Sequence, residues 1–258
     1  MSDELPLARR DEIAGRLSSG QAVIAAALAA EFGVSEDAIR RDLRALAAEG
    51  RCRRVYGGAL PIAGGVTPMA SRIGKDRERK LALARTAARS IMRGELLFLD
   101  SGSTNLALTG FLPEDLDLRI ATNAIDIAAA VLHRQDLRLI MIGGCVDAAV
   151  GGCVDADALL QVQRLNIDRC FIGACAVSAQ AGVSAVDPAD AAFKRTLLSL
   201  SRVSVAMVTS EKLETRAPHR IANVKAISQM TVEHDAPAAR LALLKRAGAA
   251  IVMADPPA

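Results

Sequence analysis

The chain has no tryptophan, one tyrosine and five phenylalanines in 258 residues, so aromatic side chains make up only 2% of it. Stacking of bases on aromatic rings, a common way to hold single-stranded nucleic acid, is therefore not its main business. Histidines number three (His133, His219, His234) and cysteines five (Cys52, Cys145, Cys153, Cys170, Cys175). Cys170 and Cys175 lack a second Cys/His pair at zinc spacing, so no metal site is expected. An odd cysteine count without a leader pattern argues against a disulfide framework and makes the cytoplasm the expected location. No apolar run reaches membrane-spanning length once charges are counted, so no membrane contact is expected. Nucleotide loops are missing too. Neither Gly-x-x-x-x-Gly-Lys-Ser/Thr nor Gly-x-Gly-x-x-Gly after a strand occurs, and no cofactor is expected.

What is present is 51% hydrophobic and 24% charged residues, enough for a sizeable core. The net charge of +3 hides an asymmetry. Residues 1–60 carry nine arginines and nine acids, yet residues 40–54 hold six arginines against Asp42 and Glu49. Residues 71–95 add eight basic residues against three acids, while from residue 96 onward fifteen basic residues meet seventeen acids. Basic charge sits in the first third, where a polyanion would be met.

The arginine-rich stretch reads as a capped helix over about 35–48. Ser35 is an N-cap, and Glu36 and Asp37 suit the positive end of the helix dipole. Ile39, Leu43 and Leu46 form one apolar face, while Arg40, Arg41 and Arg44 point the other way. Two helical patterns precede it: residues 9–18, with Ile13 and Leu17 inward, and 24–32, with Leu28 and Phe32 inward and Gly33 as the stop. Gly20 marks a turn and Gly50 ends the third helix. Residues 51–57 read as a basic hairpin, with Gly57 and Gly58 supplying unusual backbone angles. Three helices and a wing describe a winged helix-turn-helix over residues 5–60, suited to the major groove of double-stranded DNA. Its DNA-facing residues would be Ser35, Glu36, Asp37, Ala38, Arg40, Arg41, Arg44, Arg53, Arg54 and Tyr56.

Residues 61–74, rich in Pro and Gly at their start, read as a linker. A long basic helix is expected over 75–93, with Leu81, Ala84, Ala88 and Ile91 or Met92 inward. Beyond it, short apolar runs at 96–99, 118–121, 137–142, 170–173, 203–208 and 249–253 alternate with helical patterns. That alternation predicts an α/β domain over 75–258, its parallel sheet covered on both faces. Ligands of such sheets bind beyond the carboxyl ends of the strands. The exits here are Asp100-Ser101-Gly102-Ser103-Thr104, Thr122-Asn123, Gly143-Gly144 and Thr209-Ser210-Glu211-Lys212. Hydroxyls and backbone N–H groups of this kind suit a compact sugar phosphate. Lys194 and Lys212 would add positive charge.

The chain resembles the DeoR family of bacterial transcriptional regulators. The first part is similar through Arg9, Ile13, Leu17, Phe32-Gly-Val-Ser35, Ile39-Arg-Arg-Asp-Leu43, Gly50 and Arg53-Arg-Val-Tyr-Gly-Gly58. The second is similar through Lys80, Leu99-Asp-Ser-Gly-Ser-Thr104, Thr122-Asn123, Ile142-Gly-Gly144, Asp168-Arg-Cys-Phe-Ile-Gly173, Lys194 and Lys212. The resemblance implies a repressor of a carbohydrate-use operon governed by a phosphorylated sugar, with a sensor domain related to ribose-5-phosphate isomerase. Effector contacts would fall on Asp100, Ser101, Gly102, Ser103, Thr104, Thr122, Asn123, Gly143, Gly144, Lys194 and Lys212. Three positions depart from the family pattern: Ala38 where threonine is usual, Asp190-Ala191 in place of a Glu-Ala pair before Lys194, and Thr209-Ser210 where an aspartate commonly precedes the last lysine motif.

Two other readings use the same residues. A sugar-phosphate isomerase would need Asp100 as base and Lys194 or Lys212 to polarise a carbonyl, but no second carboxylate has a catalytic position. A sensor that has lost its ligand would leave a constitutive DNA-binding factor. Winged-helix readers commonly pair across two half-sites, so a homodimer or homotetramer is expected.

Overall fold

Helical periodicity governs the start of the chain and strand periodicity the rest. The computed structural model describes residues 4–18, 21–49, 52–61 and 69–257 and divides into two units, Met1–Ser71 and Arg72–Ala258. In the first, α1 (Glu4–Ser18), α2 (Ala25–Phe32) and α3 (Glu36–Ala48) enclose a small core. Ile13, Leu17, Leu28, Ile39, Leu43 and Leu46 are buried there, Phe32 partly so. Gly33, at φ 64°, ends α2 in the left-handed conformation a side chain disfavours. The Ser35 hydroxyl caps α3 by accepting from the Ala38 N–H.

Strands β2 (Cys52–Val55) and β3 (Gly58–Pro61) form the antiparallel wing, with β1 (Val23–Ile24) on the far side of β3. Gly57 turns the hairpin at φ 79°. Gly58 is required for another reason than the expected backbone angle: a Cβ there would lie 2.1 Å from the Val23 carbonyl oxygen. Gly20 and Gly50 lie outside the described residues.

Met69–Gly74 is a helix, α4, where the sequence reads as linker. The Pro/Gly signal stops at Pro68, and the residues after it favour helix. The expected 75–93 helix is shorter, α5 (Arg77–Ala88), because the chain turns at Lys75–Asp76. Its buried face follows Lys80, Leu83, Ala84, Ala87 and Ala88, leaving Leu81 half-buried. Ile91 then points inward and Met92 is exposed.

The second unit is built on a seven-stranded parallel sheet. Its strands are β4 (Leu96–Leu99), β5 (Arg119–Thr122), β6 (Arg138–Met141), β9 (Ile167–Ile172), β12 (Ser201–Val208), β14 (Gln229–Val232) and β15 (Ile251–Met253). Six were expected, with boundaries shifted by up to three residues. The seventh, β14, escaped notice because Gln229 and Thr231 interrupt its apolar character. Alternate residues of each strand face opposite layers. Leu97, Leu99 and Phe171 pack with α5, α6 (Ser103–Leu108) and α7 (Ile125–Leu132), while Phe98 and Cys170 meet α8 (Ala156–Val162) and α9 (Pro188–Leu200). The Phe98 and Phe193 rings lie 5.9 Å apart. A second small sheet joins β10 (Ala176–Ser178), β11 (Gly182–Ala185) and β13 (His219–Ala222), and β7 (Val146–Asp147) pairs with β8 (Gly152–Cys153). Helix α10 (Ala238–Arg246) covers the β14–β15 end.

Strand order β15-β14-β12-β9-β4-β5-β6 decides where a ligand goes. From β4 the sheet first grows through β5 to β6, then restarts on the other side at β9. The crevice between β4 and β9 is thus the switch point of the topology, open at the strands' carboxyl ends.

Candidate functional site

In the first unit α3 buries its apolar stripe and leaves Arg40, Arg41 and Arg44 exposed. Arg40 is held by Glu36 at 2.8 Å and Asp37 at 3.5 Å, while Arg41 and Arg44 have no ion-pair partner among the described residues. Arg53 and Arg54 stand exposed on β2, and the Tyr56 ring is fully exposed at the wing tip. Between helix and wing runs a cleft of about 520 Å³ lined by Glu36, Arg40, Arg54 and Tyr56. Ala38 is half-buried and presents no polar group.

Asp42, one of the two acids set against the arginines of residues 40–54, is buried and paired with Arg9 at 2.7 Å and Arg10 at 3.5 Å. It ties α1 to α3 and leaves the outer face of the helix purely basic beyond its first turn.

At the switch point of the second unit, Asp100 and Ser101 follow β4, Gly173 follows β9 and Thr209 follows β12. Asp100 is fully buried. One of its oxygens, Oδ2, accepts the Gly173 N–H at 2.7 Å and lies 3.4 Å from the Lys194 ammonium. Asp190, one helical turn before Lys194 on α9, bonds the same ammonium. Two carboxylates therefore share one buried lysine. Burial pushes the Asp100 carboxyl up to about 6, with Asp190 adding to the rise and Lys194 and the Gly173 N–H opposing it. Burial also works against the Lys194 charge, but Asp100 and Asp190 outweigh it and hold the ammonium above its ordinary range.

Gly173 permits this approach, since a Cβ there would lie 2.7 Å from the Ser101 carbonyl oxygen. Asn105 clamps the crevice by donating to the carbonyls of Asp100 (2.7 Å) and Phe171 (2.9 Å). The Thr122 hydroxyl donates to the Leu99 carbonyl and accepts the Ala124 N–H. Asn123 accepts the Ser101 N–H and donates to the Cys153 carbonyl. Thr122 and Asn123 thus shape the site with their own polar atoms. Gly143 exchanges both backbone bonds with Gln161, and a Cβ on Gly144 would strike Asp155 at 2.4 Å. Gly102, Ser103 and Thr104 form the turn after Ser101 and open α6, with Thr104 buried.

Lys212 closes a short turn after Thr209, its N–H donating to the Thr209 carbonyl. Burial pulls its pKa down, and Arg72 and Lys80 act in the same sense. The sequence reading gave no site role to Arg72, Lys80 or Asn105, and placed Thr209 and Ser210 at a strand exit without naming them as effector contacts. Arg72 lies in the expected linker, and nothing local joins it to strand exits far along the chain. Its guanidinium reaches the Ala149 and Val150 carbonyls, and Lys80 donates to the Arg72 carbonyl.

One observation stands out. Among the described residues, six buried side-chain polar atoms have no hydrogen-bond partner, and five belong here: Asp100 Oδ1, Ser101 Oγ, Thr209 Oγ1, Ser210 Oγ and Arg72 Nε. Buried polar groups are normally paired, because leaving one bare costs about 1–3 kcal/mol. No group of three or more His, Cys, Asp or Glu among the described residues is placed to hold a metal ion.

Comparison with known proteins gives the same two parts. Residues 9–63 match the profile of the DeoR-like helix-turn-helix domain, and residues 75–234 that of the DeoR C-terminal sensor domain. The glycerol-3-phosphate regulon repressor of Escherichia coli K12 is 30% identical over 81% of this chain and 83% of its own. A protein assigned as the aga operon transcriptional repressor of Escherichia coli O157:H7 is 28% identical over 95% of this chain and 93% of its own. Among solved structures, ribose 5-phosphate isomerase A from Methanocaldococcus jannaschii aligns over 54% of this chain and 55% of its own, at 14% identity and TM-score 0.40.

Proposed function

This chain belongs to the DeoR family of transcriptional regulators, and from that premise we propose that it represses a carbohydrate operon and is switched by a phosphorylated sugar held at the β4–β9 crevice. The observation that carries the sensor half is the set of five unpartnered buried polar atoms around that crevice. They are donors and acceptors aimed at a polar ligand, gathered where an α/β sheet of this order binds one. Arg41 and Arg44 on α3 are the base readers of this proposal, with Arg40 reached after exchange with Glu36. Arg53, Arg54 and Tyr56 on the wing contact the phosphate backbone.

The protein acts on this reading without catalysis. An isomerase would need a free carboxylate base and a free electrophile, whereas Lys194 is bound by both Asp100 and Asp190, and Asp100 by Lys194 and the Gly173 N–H. Ribose 5-phosphate should therefore be returned unchanged. The regulator works in the cytoplasm as a homodimer or homotetramer that places two α3 helices on one operator.

Fluorescence anisotropy with the DNA upstream of the neighbouring operon tests the reading directly. A sugar phosphate that raises the melting temperature should also alter operator affinity. Operator binding that ignores every phosphorylated sugar would favour the constitutive factor instead.

A further inference from the structure

We infer that the effector carries two acidic groups, the second, a carboxylate or a phosphate, seated on Arg72, Lys212 and the hydroxyls of Thr209 and Ser210. The inference rests on the sensor reading of the same site. The unpartnered atoms fall into two sets. Ser101 follows β4, whereas Thr209 and Ser210 follow β12, and β9 lies between them. Two inter-strand spacings separate the ends of β4 and β12 by about 10 Å, more than one phosphate group spans.

Charge separates them as well. On the β4 side the one buried cation, Lys194, already has Asp100 and Asp190. On the β12 side Lys80 and Lys212, and Arg72 between the two sets, have no carboxylate in ion-pair reach among the described residues. The acids nearby are engaged elsewhere: Glu211 with Lys75, and Glu233 with Arg79 and the Ser210 N–H. Lys80 has only a carbonyl, that of Arg72. Burial lowers the pKa of all three cations and outweighs the more distant acids, Asp190 and Asp100 for Arg72 and Glu211 for the two lysines.

Arg72 joins the two sets. Its guanidinium donates to Ala149 and Val150 at 3.1 and 3.0 Å while its Nε is buried and unused. The same hairpin carries Gly152, where a Cβ would lie 3.2 Å from the Ser101 Cβ. A ligand reaching from Ser101 towards Thr209 would thus pass the Arg72 side chain. Thr209 itself is 3% exposed, and a hydroxyl so placed suits an anionic oxygen that an aspartate there would repel.

The test uses the full chain with hexose, pentose and polyol monophosphates, each beside a doubly acidic counterpart, such as fructose 6-phosphate with the 1,6-bisphosphate and glucose 6-phosphate with 6-phosphogluconate. Calorimetry should show one doubly acidic compound binding about tenfold or more tightly than its monophosphate, the effect of one charge-assisted contact. Bisphosphate or sugar acid as the better member tells which second group the site takes. Lys212→Gln and Thr209→Asp should each abolish that preference, with unchanged circular dichroism. Equal binding of both members, or a preference that survives both substitutions, overturns the second acidic group and leaves the sensor reading standing. If no compound of either kind binds, both fall.

Discussion

The surface proposed to face DNA and the crevice proposed as the sensor site are both rich in charge, yet they use it in opposite ways. On α3 and the wing, arginines stand in water, and Arg40 has only exposed partners at 2.8 and 3.5 Å. Such pairs are weak, on the order of 0.3–0.5 kcal/mol, so they yield readily to a phosphate or a guanine. In the crevice, Asp100, Asp190 and Lys194 are buried together, and each depends on the others. A surface of exchangeable cations suits a long polyanion, and a preformed buried network suits one small ligand.

The largest expected effect should fall on the first surface alone. Arg41→Ala with Arg44→Ala should weaken operator binding by about 4 kcal/mol, roughly a thousandfold, while leaving sugar-phosphate affinity of the same protein unchanged. Anisotropy and calorimetry on one preparation would show this, and unchanged operator affinity would break the comparison. Next in size, Asp42→Ala should cost about 3 kcal/mol of stability, because Arg9 and Arg10 lose a buried partner. A urea melt followed in the first unit measures it, and a loss below about 0.5 kcal/mol would make Asp42 an ordinary surface acid.

The smallest effect concerns the crevice and carries a sign. Asp100 titrates at about 6 in the folded chain against an ordinary 3.8, so folding favours its protonated form. This group therefore costs stability in full above pH 6, and that cost disappears as the pH falls towards 4, with about 1 kcal/mol recovered between pH 7 and pH 5. Asp100→Asn removes the dependence. Stability of the wild type relative to this variant should rise between pH 7 and pH 5 in urea melts. A difference that stays flat with pH would mean that Lys194 keeps Asp100 charged throughout.

Much of this was legible in the residues. The α3 stripe of Ile39, Leu43 and Leu46, the Ser35 cap and the Gly33 stop are local patterns, and local hydrogen bonding and burial fix them. Six of the seven sheet strands could be read because strands buried on both faces are continuously apolar. β14 could not, since its polar residues are tolerated only once β12 and β15 flank it. Asp42 enters the sequence only as one acid among six arginines, and α1 packing on α3 makes it a buried anchor.

The sequence by itself determined that a winged helix with an outward arginine face precedes a parallel α/β sheet whose strand exits are rich in hydroxyls and glycine. Periodicity, capping and backbone freedom act over a few residues, so they are written in a few residues. Tertiary structure decided the rest. It brought Arg72 to the β7–β8 hairpin 78 residues away with Lys80 on the Arg72 carbonyl, placed Asp190 and Asp100 on one lysine, and spent Thr122 and Asn123 on the frame of the site. The crossover between β4 and β9 is the cause, because it sets side by side residues that no local rule relates.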